Sequence, residues 1–389
     1  MSKRLENRRK FIRTSLAGPV ALTLSARQFP YHASAAMPPS GQTAGMARGE
    51  KRLRFSAIGL NHDHIFGQVA AVLGGGGHFV SYYAEEADLA ASFGKRFPAA
   101  RFARSRQEIL EDSSIQLVLS AAIPDERGPL GIEVMRHGKD FMSDKPGLTT
   151  LAQLAEVRRA QSETRRIYSI FYGERFENRA TVRAGELVKA GAIGAVVQTI
   201  GLGPHRMHPE DRPPWFFDRQ RFGGILCDIA SHQFDQFLFF TGSDRAQIVA
   251  SQVGNVHHRQ YPEFEDFGDV MVSGNGGTGY IRVDWFSPDG LNTWGDGRLT
   301  ILGTEGYIEI RKNIDIAGRP GESHLFLVDR KETRYIDCRS VTLPYGRQLV
   351  DDVVNRTETA MSQEHCFLAT ELALKAQQSA RKLPARTQG

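Results

Sequence analysis

Cysteine is scarce in this chain, and the three present, Cys227, Cys338 and Cys366, fit neither a metal-binding spacing nor an even disulfide set. A disulfide-stapled scaffold is excluded, while a single bridge in an oxidising compartment stays open. Long apolar runs are missing too: the stretch from Leu16 to Leu24 is too short and too weakly apolar for a stable membrane span. An excess of one charge is also lacking once the N-terminus is set aside. Of 49 Lys and Arg, seven lie in residues 1–35, and of 44 Asp and Glu only Glu6 does, so the formal +5 gives way to 42 basic against 43 acidic residues in the remainder. The basicity belongs to the N-terminus, and a nucleic-acid footprint is not supported. There is no internal repeat and no low-complexity tract. What remains is an ordinary globular composition, 41% hydrophobic with 39 Gly, in a chain of 389 residues that suits two domains better than one core.

The N-terminal stretch "NRRKFIRTSLAGPVALTLSARQFPYHASAA" pairs Arg8 with Arg9, places Phe11 two positions later and ends near Ala33-Ser34-Ala35. It resembles a twin-arginine export signal. Residues 1–35 are expected to be that signal, residues 36–50 a linker rich in Pro, Gly and Ser, and the mature protein to be periplasmic or otherwise exported.

"RLRFSAIGLNHDHIFGQVAAVL" reads as a strand to Ile58, a turn at Gly59 and then a helix-period run, the unit that sets a pyrophosphate on a helix N-terminus. "FVSYYAEE", "IQLVLSAAIP" and "DFMSDKPG" continue as strands with helices between them, so the first half is expected to be a doubly wound parallel sheet. Its glycine fingerprint is poor. Asn61 and His64 stand where the second and third glycines of G-x-G-x-x-G belong, and Gly67 comes three residues late. Asn61 tolerates a left-handed turn, but His64 cannot give a glycine's close helix packing. Ala84 stands where a ribose-binding acid is expected, with Glu85 and Glu86 following; Glu85 favours NAD over NADP, unless both glutamates are plain helix-start residues.

In "GGILCDIASHQFDQF", spacings of four and three put Asp228, His232 and Asp235 on one helical face inside an apolar run. Such a stripe either satisfies polar groups in a core or does proton chemistry. Upstream, Lys145-Pro146 closes a strand at the edge where open sheets gather ligands. Taken in order, Gly59, the strand end Ala121-Ala122-Ile123-Pro124, Asp144-Lys145-Pro146, "FYGERFENRATVRAGELVKAGAIGAV" and Gly224-x-x-x-Asp228-x-x-x-His232 resemble the glucose-fructose oxidoreductase/inositol dehydrogenase (Gfo/Idh/MocA) family, from about residue 53 to about Lys382.

The resemblance implies an NAD(P)-dependent oxidoreductase acting on a sugar or glycoside alcohol. It implies an N-terminal Rossmann-type parallel sheet over residues 51–170 and a C-terminal α+β domain over 171–350 with an open, mainly antiparallel sheet. A helix and tail over 351–389 would return to the first domain. Lys145, Asp228 and His232 become the catalytic candidates, with an imidazole near its ordinary pKa as general base, Asp228 orienting it or binding a sugar hydroxyl, and Lys145 polarising the reacting oxygen. Gly59, Asn61, His62, His64, Glu85, Ala122, Pro124 and Lys145 are the cofactor-side candidates, with NAD favoured. Arg175, His205, Arg206 and Trp215 join Asp228 and His232 on the substrate side, with Arg219 beside them, although Trp215 serves equally as packing. Asp144 replaces the family's usual Glu and would shorten any pairing with Lys145. The His pairs of "NHDH" and "PHRMH" share no zinc-like spacing, so no metal is assigned. The C-terminal sheet is expected to form a homo-oligomer through a face carrying Tyr280, Ile281, Val283 and Trp285. A redox-neutral glycosidase or lyase working through a transient keto-sugar stays open, as does a non-catalytic sugar-binding module.

Overall fold

The computed structural model describes residues 53–384. The expected export signal (1–35), the expected linker (36–50) and the last five residues of the tail lie outside the described residues. Strands β1 (Arg54–Ile58), β2 (His78–Tyr83), β3 (Arg101–Phe102), β4 (Leu117–Ser120), β5 (Asp140–Asp144) and β6 (Tyr168–Phe171) alternate with helices α1 (His64–Gly74), α2 (Ala87–Arg96), α3 (Arg106–Glu111), α4 (Pro124–Arg136) and α5 (Leu151–Thr164). They form one sheet in the order β3-β2-β1-β4-β5-β6, every neighbouring pair parallel. This is the doubly wound dinucleotide-binding order, with its crossover between β1 and β4. Strands β4, β5 and β6 are buried along their whole length, because helices cover both faces.

After β6 come α6 (Gly173–Phe176), α7 (Arg179–Lys189), β7 (Val196–Pro204), α8 (Arg219–Phe222), α9 (Ile225–Asp228) and α10 (Ala230–Thr241). Strands β8 (Ala246–Gly254), β9 (Phe267–Gly274), β10 (Gly277–Asp284), β11 (Arg298–Gly303), β12 (Tyr307–Arg311), β13 (His324–Val328) and β14 (Thr333–Asp337) follow, then α11 (Tyr345–Asn355), α12 (Gln363–Ser379) and β15 (Arg381–Lys382). The second sheet runs β14-β13-β12-β11-β7-β10-β9-β8-β15. It is antiparallel except where β7 meets β10 and β8 meets β15. Glycines at 201, 203 and 279 turn one face of β7 and β10 toward α10, where a Cβ on Gly201 would stand 2.7 Å from the Gln233 side chain.

The expected interface face needs correction. Ile281 and Val283 alternate with Tyr280 along β10, so they point the other way, into the core, and Trp285 is buried beside Phe216 and Phe264. The open face instead carries the directly paired row Met271, Tyr280, Ile200, Thr300, Glu309, Phe326 and Tyr335. The three cysteines are buried and free.

Helix α12 ties the two sheets together. Near its start Gln363 exchanges side-chain hydrogen bonds with both backbone groups of Tyr168 in β6. Near its end Gln377 accepts from the Leu226 N–H in α9 at 2.9 Å. That second contact fixes the helix that carries Asp228.

Candidate active site

The carboxyl ends of β1, β4 and β5 meet at one edge. Gly59 leaves β1 at φ 80°, and a Cβ there would stand 2.6 Å from Ala122 Cβ, so only glycine fits between β1 and the end of β4. Pro124 then opens α4. Asn61 Nδ2 donates to Glu86 Oε1 at 2.6 Å, while Glu85 is exposed. The turn thus engages Glu86, the neighbour of the glutamate singled out from sequence. The first amides of helix α1 are engaged locally: His64 N–H donates to His62 Nδ1 at 3.2 Å, and the Ile65 and Phe66 N–H groups donate to the carbonyls of His62 and Asp63. A glycine pinned against Ala122 and a carboxylate after β2 fit a dinucleotide.

His64 opens α1 but turns its ring into the cleft, with Nδ1 2.8 Å from Asp144 Oδ1. His62 Nδ1 lies 3.6 Å from Asp144 Oδ2, and the buried Arg127 guanidinium is 3.1 Å from that oxygen. Burial alone would raise the Asp144 pKa, but His64 and Arg127 hold it well below the usual carboxylate range. Burial and the neighbouring His64 hold His62 well below its ordinary value. The structure thus joins His62, His64 and Asp144, whose candidate ligand atoms lie within 4.8 Å of one another, from two separated elements that no sequence spacing could link. Arg127 already balances the carboxylate charge there.

Asp144 does not pair with Lys145, because successive residues of an extended strand face opposite ways. Lys145, joined to Pro146 by a cis peptide bond, instead reaches Asp228, Nζ to Oδ1 2.8 Å, both side chains largely buried. Asp228 ends α9, and Ile229, itself helical at φ −77° and ψ −46°, joins it to α10, where His232 N–H donates to Ile229 O. His232 Nδ1 is buried without a hydrogen-bond partner among the described residues, so Asp228 does not orient it through that atom. Tyr172 meets the ring edge-to-face at 6.2 Å.

Residues 181–309 match the family model of the GFO/IDH/MocA C-terminal domain. The crystal structure of a protein assigned as an oxidoreductase from Erwinia carotovora atroseptica SCRI1043 is 46% identical, with a TM-score of 0.83 over 86% of this chain and 100% of that one. The chain belongs to the Gfo/Idh/MocA oxidoreductase family. The NADP(+)-dependent scyllo-inositol 2-dehydrogenase IolW of Bacillus subtilis is 25% identical over 151 residues, 39% of this chain and 41% of that protein, so the match spans less than half of that curated relative. Levoglucosan dehydrogenase, solved with NADH and levoglucosan, shares the fold, with a TM-score of 0.72 at 16% identity over 85% of this chain and 97% of that one.

Within this Gfo/Idh/MocA site the remaining candidates divide. His205 stays close: its ring lies between Trp285 and Trp294, Nδ1 is 3.1 Å from Gly203 O, and burial with nearby Lys145 brings its pKa down to about 4. Arg175 is committed elsewhere, bidentate to the buried Asp235 at 2.7 Å and packed over Phe176 and Phe239. Asp235 also binds His365 at 2.8 Å, so the helical stripe divides, Asp228 facing Lys145 and Asp235 facing Arg175. Arg206 donates to the carbonyls of Pro288 and Leu291, and Arg219 lies 3.5 Å from Glu265, the residue that accepts from Ile225 N at the start of α9. Trp215 packs against Phe216 in the aromatic core. These side chains hold the loop before α9. Two charged residues that the sequence reading passed over, Glu174 and Lys312, pair beside His232.

The expected base keeps its position but not its ordinary pKa. Burial pushes His232 down to about 3, with Glu174 opposing the shift and Lys145 adding to it. The imidazole is therefore neutral, in its proton-accepting form, at every pH near neutrality. Selective imidazole NMR, assigned by comparison with His232→Asn, should show this ring unprotonated down to about pH 4. A midpoint above about pH 6 would contradict the burial argument.

Proposed function

We propose that this chain oxidises a secondary alcohol of a sugar or glycoside with a nicotinamide dinucleotide, and that Lys145, Asp228 and His232 carry the proton chemistry. The observation that supports this most is the buried Lys145–Asp228 contact of 2.8 Å at the carboxyl ends of the parallel strands, one helical turn from a neutral imidazole. A bound nicotinamide supplies the hydride acceptor. As hydride leaves the carbinol carbon, His232 takes the hydroxyl proton and the Lys145 ammonium stabilises the negative charge developing on that oxygen. Asp228 holds the ammonium in place. Retention of this pair favours catalysis over a non-catalytic sugar-binding module.

Gly59, Asn61, His62, His64, Ala122, Pro124 and Lys145 are the residues proposed to meet the cofactor. Glu85 and Glu86 follow β2 and would repel a 2′-phosphate, which favours NAD. The similar proteins cover both cofactors, NADP(+) for the inositol dehydrogenase and NADH for levoglucosan dehydrogenase. Their substrates are polyhydroxylated rings, in keeping with a carbohydrate here.

His232→Ala and Lys145→Ala should each lose about a hundredfold or more in turnover while still binding NAD, because both groups act at the reacting carbon and not at the adenosine end. Near-native turnover in either variant would refute the assignment.

Residues 1–35 are proposed to direct export through the twin-arginine route, and the open-face row around Tyr280 to pair two or more copies. Outside the cytoplasm free NAD is not resupplied. An exported enzyme would then keep its cofactor and return the hydride, either to a second substrate or to the same sugar after a transient keto step. Native mass spectrometry of protein from the exported fraction reads all three claims: a chain shortened at its N-terminus, an oligomer, and a retained dinucleotide. An empty monomer that releases NADH stoichiometrically with product would leave a conventional dehydrogenase.

A further inference from the structure

Beside the Lys145–Asp228 pair lies a second buried ion pair for which the proposed hydride transfer has no use. Glu174 Oε2, in α6, accepts from Lys312 Nζ, which stands immediately after β12; the two side chains are 8% and 3% exposed. The same oxygen accepts from Gln233 Nε2 at 2.8 Å and from Gln236 Nε2 at 3.3 Å. Three donors thus converge on one oxygen. Because a carboxylate can only accept, the two amides must present their NH2 ends to it, and their carbonyl ends face elsewhere. Oε1 of Glu174, Oε1 of Gln233 and Oε1 of Gln236 are all shielded from solvent with no hydrogen-bond partner among the described residues. Every orphan is an acceptor, so what would satisfy the cluster is a group that brings donors.

This cluster adjoins the reacting groups. Gln233 directly follows His232, and Glu174 is the charge that acts most strongly on the His232 imidazole. Gly203, on which a Cβ would stand 3.1 Å from Gln233 Nε2, uses its carbonyl to hold His205. Both nearby ammonium groups are already matched, Lys145 by Asp228 and Lys312 by Glu174. Among the described residues an anionic ligand would find no unmatched ammonium here, and three acceptors that repel it. A neutral polyol brings several O–H donors.

We infer that Glu174, held by Lys312, determines specificity for a neutral polyhydroxylated substrate, accepting its hydroxyl hydrogen bonds and excluding sugar acids and sugar phosphates. The inference rests on the reading that this site oxidises a sugar hydroxyl. The test is calorimetric titration of the NAD-loaded protein with neutral hexoses, inositols and methyl hexosides, and with hexuronates and hexose 6-phosphates, while NADH formation is followed separately. The wild-type protein should bind the best neutral compound at least about tenfold more tightly than its charged counterpart. Glu174→Gln leaves the Lys312 ammonium unmatched, so the affinity ratio of uronate to neutral sugar should rise by at least about tenfold. Should that variant fail to fold, the charge-balanced pair Glu174→Gln with Lys312→Met should fold and raise KM for the neutral sugar by about fivefold or more, with a smaller change in kcat and no gain for uronates. Tighter wild-type binding of a uronate or phosphate, binding of neither class, or an unmoved ratio and KM in the variants would overturn the inference. Neutral sugars bound at the expected ratio without NADH formation would instead overturn the hydride-transfer reading and leave this inference standing.

Discussion

The site depends on one contact, the buried ion pair between Lys145 and Asp228. Its partners are 83 residues apart, one following β5 of the parallel sheet and the other ending a short helix that lies against the second sheet. Taking both charges out of water is costly, and the pair holds only if its geometry is enforced from outside. Enforcement comes from both sides. Arg127 donates to the carbonyls of Lys145 and Pro146, fixing the strand end, while Gln377 and Glu265 bind the first amides of α9. Helix α12 couples the two, since it binds β6 at one end and α9 at the other.

Charge balance extends the same logic through the interior. Asp144 meets Arg127 and His64, Asp235 meets Arg175 and His365, and Glu174 meets Lys312. Matched carboxylates remain ionised despite burial, whereas His232 and His205, held in a desolvated site, stay neutral. Fixed, matched charges thus surround neutral imidazoles in this interior.

Much of this was legible in the chain. Alternation of apolar runs and helix-period segments pointed to the parallel sheet, and the resemblance carried by the ordered motifs singled out Lys145, Asp228 and His232, of which Lys145 and Asp228 are in contact. Other features were hidden for physical reasons. Period-two alternation on β10 puts Tyr280 and Ile281 on opposite faces, so the residues expected to share one interface divide between the open face and the core. Asp235 shares a helical face with Asp228 on paper, but partners from α6 and α12 draw it the other way, and no local pattern encodes partners 60 and 130 residues distant. His64 looked like a defect in a glycine fingerprint; its role as a partner of Asp144 emerges only when the β1–α1 turn and the end of β5 come together. Glu174 and Lys312 are separated by 138 residues, and the paired glycines of "IGLG" in β7, which make room for Gln233, were the one available hint.

A crystal structure of the protein with NAD+ bound tests the central claim most directly. The account predicts the nicotinamide ring at the carboxyl ends of β1, β4 and β5, with its C4 facing Lys145 and His232 so that a carbinol carbon fits between them at about 3–3.5 Å from C4. A dinucleotide whose nicotinamide lies away from Lys145 and His232, or a site that admits no dinucleotide at all, would contradict it.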